Sequence, residues 1–329
     1  AGYGDVIINQ AYKGLLDLAG FSEAINGLSG DGTVDNSTGA GSLSVGNNNA
    51  SSAFNGVLQN SSGTLALSKV GSGTLTLGGA STYTGPTTVS AGTLAFGLGG
   101  SLGASALSVA SGTTLANTTT STAALGGSAT LNLGALASFT AVGGPSSAVG
   151  QFSVGGGLGL NNNTLSINVS GAGLALGSYR LLDCAGTVSG AANPTPVLTG
   201  TPLAAGYTAL IFTTPGAGGH VDLLVQESPL FSNLAASQAI TYGAAGITLG
   251  GTLSAPGPLY PAMGETITVT INGDLQTTTV NDATGDFSLT YNPSSLPAGA
   301  SPYPISYGYA GSATLEPTGD ASTTLTVNT

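Results

Sequence analysis

The stretch from Leu67 to Leu94 decides the fold, and it reads LSKVGSGTLTLGGASTYTGPTTVSAGTL. Its runs Gly73–Leu77 and Gly92–Leu94 alternate apolar residues with small polar ones, which is the period of a half-buried β-strand. A glycine stands at the start of each run, where it marks a turn. The stretch therefore predicts short strands separated by tight corners.

Similar runs recur along the chain at a roughly regular spacing. Leu75 and Leu94 are 19 residues apart, Leu94 and Leu115 are 21 apart, Leu115 and Leu131 are 16 apart, and Leu131 and Phe152 are 21 apart. A period of about 20 residues built from very short strands is typical of a β-solenoid, whose coils stack and share one apolar column. The spacing is irregular enough to leave an antiparallel sandwich open as the alternative, but it favours the solenoid.

Composition excludes several classes of protein. The 329 residues include 55 glycines, 41% are hydrophobic and only 5% are charged, whereas disordered chains combine low hydrophobicity with high charge density. No apolar run approaches the roughly 20 residues of a transmembrane helix, so we expect no membrane insertion. The net charge of −11, with only three basic residues, argues against nucleic acid as a partner.

Catalytic groups are scarce, so we expect no enzyme activity, no cofactor and no metal site. Between Asp35 and Asp183 only Lys69 and Arg180 are charged, whereas sugar-cleaving β-helices need carboxylates on their central coils. His220, the only histidine, lies in a glycine-rich loop and is interpreted as an exposed polar residue.

Three other features have competing interpretations. Cys184 is the only cysteine, which excludes an intrachain disulfide, and we expect a small core residue. Asp282, Thr284 and Asp286 lie at alternating positions around Gly285 and could offer oxygen ligands to calcium, but a β-turn explains the same residues. Lys69 is interpreted as a solvated face or corner residue.

The character of the sequence changes near the linker-like Glu227-Ser228-Pro229. Beyond it the strands are longer, and Asn272-Gly273-Asp274 predicts a hairpin between two alternating runs. About seven strands in about 100 residues suggest an immunoglobulin-like sandwich. The predicted organisation is an N-terminal strand and cap over residues 1–28, a β-solenoid over 29–226 and the sandwich over 227–329. Within the cap, the segment Ala11–Leu28 is expected to form a short helix.

Leu67–Leu94 resembles the autotransporter passenger-associated β-strand repeat across 28 consecutive positions, with Pro86 where that family often has glycine. Ile25–Gly32 and Phe54–Leu58 resemble the usual flanks of the repeat. The resemblance implies a right-handed parallel β-helix exported to the cell surface, usually within an adhesin or another large surface protein.

The C-terminal part resembles bacterial Ig-like repeats of surface proteins, on the residues Ile240–Gly243, Asn281–Phe287, Ser301–Tyr307 and Thr324–Asn328. The sequence as a whole thus predicts an all-β protein, a right-handed parallel β-helix followed by an Ig-like β-sandwich. The start at Ala1 fits a mature product that has lost a signal peptide, or a fragment, and we expect an extracellular or bacterial cell-surface location.

Two functions remain open. The first is a structural surface protein that polymerises with copies of itself, head to tail, by strand addition through Asp5, Val6, Ile7, Ile8 and Asn9, a strongly β-forming run with no obvious hairpin partner. The second is an adhesin that binds surface glycans or host surfaces through tyrosines of the C-terminal part, Tyr242, Tyr260, Tyr291, Tyr303, Tyr307 and Tyr309.

Overall fold

The computed structural model describes residues 4–12, 14–132, 134–299 and 302–329. Lys13, Ser301 and the first three residues, which belong to the predictions above, lie outside this set. The chain forms two compact units, one of Ala1–Ala204 with Ala209–Leu224 and one of Ala205–Thr208 with Val225–Thr329. The described residues contain strands and one 3-10 helix, Gln10–Tyr12, but no α-helix.

Short strands fill the first unit, as the alternating runs predict. They are β1 (Val6–Ile8), β2 (Leu15–Asp17), β3 (Ser22–Ile25), β4 (Leu28–Gly30), β5 (Thr33–Asp35), β6 (Ala40–Val45), β7 (Ser52–Phe54), β8 (Val57–Leu58), β9 (Thr64–Lys69), β10 (Thr74–Leu77), β11 (Thr87–Val89), β12 (Thr93–Phe96), β13 (Leu107–Val109), β14 (Thr114–Asn117), β15 (Thr122–Leu125), β16 (Ala129–Leu131), β17 (Leu136–Gly144), β18 (Ala148–Val149), β19 (Gln151–Val154), β20 (Leu158–Gly159), β21 (Thr164–Leu174), β22 (Gly177–Cys184), β23 (Thr187–Ser189), β24 (Val197–Gly200), β25 (Tyr207–Thr214), β26 (Gly216–Ala217) and β27 (His220–Glu227).

Successive coils place their strands in the same sheets. The first sheet has the order β1-β4-β7-β10-β12-β14-β17-β21-β24, with β18 beside β17, and the second has the order β26-β23-β20-β16-β13-β11-β9-β6-β3. The third side consists of β2-β5-β8 and, further along, β15-β19-β22-β27-β25. The strands along the first sheet's path are all parallel. This stack of parallel coils confirms the β-helix.

The register confirms part of the predicted spacing and corrects the rest. Leu75 pairs with Leu94, and Leu94 pairs with Leu115, as the steps of 19 and 21 residues predict. The next member of this row is Ala137, however. Leu131 and Phe152 lie in different sheets, so the step between them is not a coil repeat.

The core of the first unit is a column of inward-facing side chains. In the first sheet one inward row begins at Ile8 and ends at Leu198, and it runs in register through Gly30, Phe54, Leu77, Phe96, Asn117, Phe139 and Ile167. Phe152 packs edge-on against Phe96 and Phe139, with ring centroids 5.8 and 5.6 Å apart. Each coil thus buries apolar surface that it could not bury alone.

Three buried asparagines hold the corners between coils. Asn36 accepts a hydrogen bond from the Gly20 N–H and donates to the carbonyls of Gly39 and Thr64, which belong to different coils. Asn117 and Asn163 likewise each donate two hydrogen bonds from Nδ2 to backbone carbonyls. Because unpaired buried carbonyls are costly, these side chains stabilise the corners where the backbone ladders stop.

The helix expected over Ala11–Leu28 is wrong. The segment contains β2 and β3, and Leu16 pairs in register with Val34 of the next coil. Ala19 and Gly20 have φ values of 50° and 82°, so the chain turns here in the left-handed region instead of continuing a helix. The apolar residues of this segment therefore belong to strands and turns of the β-helix and not to a helical cap.

The second unit is a sandwich of two sheets. Its strands are β28 (Leu230–Ser232), β29 (Gln238–Thr241), β30 (Ile247–Ser254), β31 (Thr266–Ile271), β32 (Asp274–Thr279), β33 (Asp286–Tyr291), β34 (Tyr303–Tyr309) and β35 (Thr318–Asn328). The sheets have the orders β28-β30-β33 and β29-β35-β34-β31-β32, and both contribute to one buried cluster. The hairpin predicted at Asn272-Gly273-Asp274 joins β31 to β32. An Ig-like relationship for this unit stays a prediction.

Gly92 and Gly112 both have a positive φ, but only Gly92 is closely packed against another coil. Comparing the two positions therefore distinguishes the cost of the backbone conformation from the cost of a steric clash. Gly92 has a φ of 66°, and a Cβ there would lie 2.3 Å from the Gly73 carbonyl oxygen, whereas Gly112 has a φ of 75° with no atom within 4 Å of its Cβ position. We expect Gly112→Ala to cost about 1–2 kcal/mol of unfolding free energy, from the left-handed backbone alone. Gly92→Ala should cost clearly more, as measured by urea unfolding. Equal costs would show that the coils separate freely at Gly92.

Candidate functional site: the open first coil

Val6–Ile8, the centre of the predicted contact residues Asp5–Asn9, form the outermost strand of the first sheet. Val6, Ile7 and Ile8 pair in parallel with Leu28, Ser29 and Gly30, so this run has a partner within the chain. It is a stacked strand, not a free arm. In the described residues β1 has no neighbour on its other side, and β2 and β3 likewise end their own sheets.

The backbone of β1 shows which groups face the open side. The Val6 N–H donates to the Gly27 carbonyl at 2.8 Å, and the Ile8 carbonyl accepts from the Asp31 N–H at 2.9 Å. In a parallel ladder, alternate residues of a strand bond to the same neighbour. The N–H and C=O of Ile7 therefore point away from β4, towards the open edge.

The first coil exposes several large apolar side chains. Ile7 is 69% exposed, and Tyr12, Leu15 and Phe21 are also well exposed. Further along the same outward row the residues are small, beginning with Ser29 of the second coil. Exposed edge strands and exposed apolar side chains both favour association with another chain. The first coil is thus the part of the unit best suited to a contact.

The carboxylate of Glu23 makes β3 a poor edge for stacking another strand. Glu23 of β3 pairs with Leu43 and so lies in a row whose later members are buried, yet Glu23 itself is exposed. A strand stacked directly over Glu23 would desolvate its carboxylate, which is unfavourable without a partner. The three open strands are therefore not equivalent, and β1 has the most apolar edge.

The single histidine does not form a catalytic triad. Thr214 Oγ1 lies 3.2 Å from His220 Nε2, and Asp222 Oδ2 lies 3.4 Å from the same nitrogen. A triad needs the nucleophile and the orienting acid on opposite ring nitrogens. Asp222 also accepts a hydrogen bond from Arg180 Nε at 2.6 Å, and Arg180 donates to Asp183. This cluster is an ion-pair network, and His220 is partly buried in it instead of exposed in a loop.

The Asp282 loop is held together by its own hydrogen bonds. Asp282 Oδ1 accepts from the Thr284 hydroxyl at 2.8 Å and from the N–H groups of Thr284 and Asp286. These bonds, the Thr284 hydroxyl first, hold the pKa of Asp282 below its usual range. Asp286 accepts from Thr252 at 2.5 Å. The described residues contain no group of three or more His, Cys, Asp or Glu that could hold a metal ion.

Several of the tyrosines considered for glycan binding are core residues. Tyr291, Tyr307 and Tyr309 are buried in the sandwich, whereas Tyr242 is exposed. The set therefore does not form one surface. Cys184 is buried, as expected, with Sγ 3.1 Å from the Gly156 carbonyl oxygen.

Lys69 is a buried corner residue, so the expected solvated position is wrong. It is 1% exposed and pairs with Val45 and Val89 of the neighbouring coils, in an inward row. Its Nζ donates to the carbonyls of Val70, Gly71 and Ala91 at 2.6, 2.8 and 3.2 Å. Burial lowers the pKa of Lys69. Three bonds satisfy all the donors of the ammonium group and join two coils.

Tyr83 begins a buried chain of hydroxyls in the same segment. Its Oη lies 2.5 Å from Thr87 Oγ1, which lies 2.6 Å from Ser105 Oγ in the next coil, and all three side chains are buried. Burial raises the pKa of Tyr83 to about 12, although the hydrogen bonds oppose this rise. The polar residues of the repeat thus connect coils through the interior.

The comparison with protein families agrees with this geometry. The Passenger-associated-transport-repeat family matches residues 67–96, the region that contains Lys69 and Tyr83. The match indicates a surface protein of the autotransporter passenger type, with a surface or extracellular location. No curated protein matches the chain. Among the described residues, none of the helices is long and apolar enough to cross a membrane.

The buried phenol makes stability depend on pH. The pKa of Tyr83 is about 12 in the folded protein against 10.0 for an ordinary tyrosine, so between these values only the unfolded chain releases the proton. Stability from this group is complete below about pH 10 and falls by up to about 3 kcal/mol as the pH rises towards 12. We expect Tyr83→Phe to flatten this part of the pH profile of urea unfolding.

Tyr12→Phe is the matched control, because Tyr12 is exposed. It should leave the slope between pH 10 and 12 unchanged. If the two variants have the same slope, the Tyr83 phenol ionises without unfolding and the buried hydroxyl chain does not exist in solution.

Proposed function

We propose that this protein is a non-enzymatic, extracellular structural surface protein that assembles head to tail into filaments through its first coil. The observation that supports this most directly is that β1 has an unpaired edge and that Ile7, its central residue, is exposed. A rigid stack of coils supplies length, and contacts between the ends of successive copies would extend that length without a longer polypeptide.

Association through β1 is favoured by both backbone and side chains. The Ile7 N–H and C=O can continue a parallel ladder, as in strand addition by other proteins. Burying the Ile7 side chain would add roughly 1.5–3 kcal/mol. The segment Asp5–Asn9 would then act as an acceptor for another strand while still paired with β4. This differs from a donated arm, because the strand does not have to leave its own coil.

The exposed carboxylates of the first coil favour a head-to-tail contact. Asp5, Asp17 and Glu23 are exposed on the first coil, so two first coils facing each other would place like charges together. A head-to-tail contact avoids this repulsion. It also uses two different surfaces, which allows a filament to grow without closing.

A charge placed in the proposed contact should prevent assembly. We expect Ile7→Lys to weaken self-association at least about tenfold, because an unpaired ammonium group would be buried at the contact. Sedimentation velocity over a concentration series, with negative-stain microscopy of the same samples, measures the effect.

Thr76→Lys is the control, since Thr76 lies on the outward side of β10, well inside the stack. It adds the same charge and should leave assembly intact. Filaments that persist with Ile7→Lys would contradict a contact through β1. A protein that stays monomeric without any substitution would contradict assembly altogether.

A further inference from the structure

We infer that the surface that receives β1 is the free edge of β24 in a second copy, in the register that places Ile7 beside Val197 and Ile8 beside Leu198. This inference rests on the proposed assembly and identifies its partner surface. The strands β1 and β24 are the two ends of one parallel sheet. Both strands therefore run in the same direction, so a strand of a second copy can continue the sheet as a parallel ladder.

The outward row that contains Ile7 has large apolar side chains only at its ends. It begins at Ile7, continues through seven small residues from Ser29 to Ser166, and ends at Val197. Ile7 is 69% exposed and Val197 is 46% exposed. In the inferred register these two side chains become direct neighbours and cover each other. Such cross-strand apolar pairs stabilise sheets.

The inward row agrees with the same register. It begins at Ile8, which is buried, and ends at Leu198, which is half-buried. Adding the second copy would place Ile8 above Leu198 and complete the cover of Leu198. The apolar column would then continue across the junction between the two copies, with Ile8 next to Leu198.

The hydrogen-bonding groups match as well. Within the sheet, the carbonyl of each inward-row residue accepts from the residue that follows the inward-row member of the adjoining strand. Gly30 accepts from Asn55, and Phe54 accepts from Gly78, both at 2.8 Å. By this rule the Leu198 carbonyl would accept from the Asn9 N–H of the second copy, and the Ile7 carbonyl would accept from the Leu198 N–H.

The strand that follows β24 also exposes apolar side chains. On β25, Leu210 and Phe212 are exposed and separated by one residue, so they lie on the same face of that strand. The first coil offers Leu15 and Phe21 in addition to Ile7. Exposed aliphatic and aromatic side chains thus occur at both ends of the unit.

Disulfide trapping tests the register. Neighbouring strands place paired Cα atoms about 4.8 Å apart, which is within disulfide range. When Ile7→Cys and Val197→Cys proteins are mixed and oxidised, we expect a disulfide-linked dimer on a non-reducing gel. The double variant should give a ladder of longer oligomers. Cys184 is buried, so the unsubstituted protein under the same oxidation gives the background.

Thr199→Cys is the matched control for Val197→Cys. Thr199 is two residues further along the same face of β24, which would put its Cα about 8 Å from that of residue 7 and outside disulfide range. We expect at least about fivefold less dimer from Ile7→Cys with Thr199→Cys than from Ile7→Cys with Val197→Cys. Equal trapping of the two pairs would overturn the inferred register.

The remaining outcomes separate this inference from the proposed assembly. Dimers from Ile7→Cys alone would show first coils that meet each other, and association without any Ile7–Val197 disulfide would show another receiving surface. Either result overturns the β24 contact but leaves self-association standing, and the first result also contradicts the head-to-tail arrangement. Absence of association in sedimentation, with no disulfide in any mixture, would overturn both.

Discussion

In-register stacking of parallel coils is the constraint on which the rest of the first unit depends. Most of its strands have only two to six residues, which is too few to bury their apolar side chains in one coil. Each inward side chain is covered by its equivalents in the coils on either side, as Phe96 is between Leu77 and Asn117. The same stacking brings backbones so close that a Cβ at Gly92 would overlap the preceding coil.

Close stacking also explains why the few buried polar side chains are where they are. The ladders end at the corners, and the carbonyls there need donors that neighbouring strands cannot supply. Asn36 and Lys69 supply them, and both reach carbonyls of more than one coil. An ammonium group with three carbonyl partners and no carboxylate is costly to bury, but its bonds hold adjoining turns at a fixed spacing. The buried charge of Lys69 therefore has a structural role and does not indicate a catalytic or binding site.

Sequence patterns predicted the periodic part of the fold and one local turn, but not the structure of Ala11–Leu28, which contains strands instead of the expected helix. The register of Leu75, Leu94 and Leu115 followed from spacing, and the β31–β32 hairpin followed from its Asn-Gly turn. The patterns failed where a longer coil intervenes, since Leu115 stacks on Ala137 and not on Leu131. They also missed the burial of Lys69 and the pairing of β1 with β4. Both depend on contacts with residues about 20 positions away, and no local signal reports those contacts.

The two ends of a parallel stack are complementary by construction. Each inner strand bonds to the coil before it with its outward-row residues and to the coil after it with its inward-row residues, so the first and last strands retain opposite halves of the same pattern. A solenoid must therefore cover or charge its ends if it is to remain single. In this protein the second sheet has Glu23 at that position, whereas the first sheet has Ile7 and Ile8 at one end and Val197 and Leu198 at the other. The first sheet thus lacks the device that blocks stacking, which is why we propose that a second copy continues the ladder there.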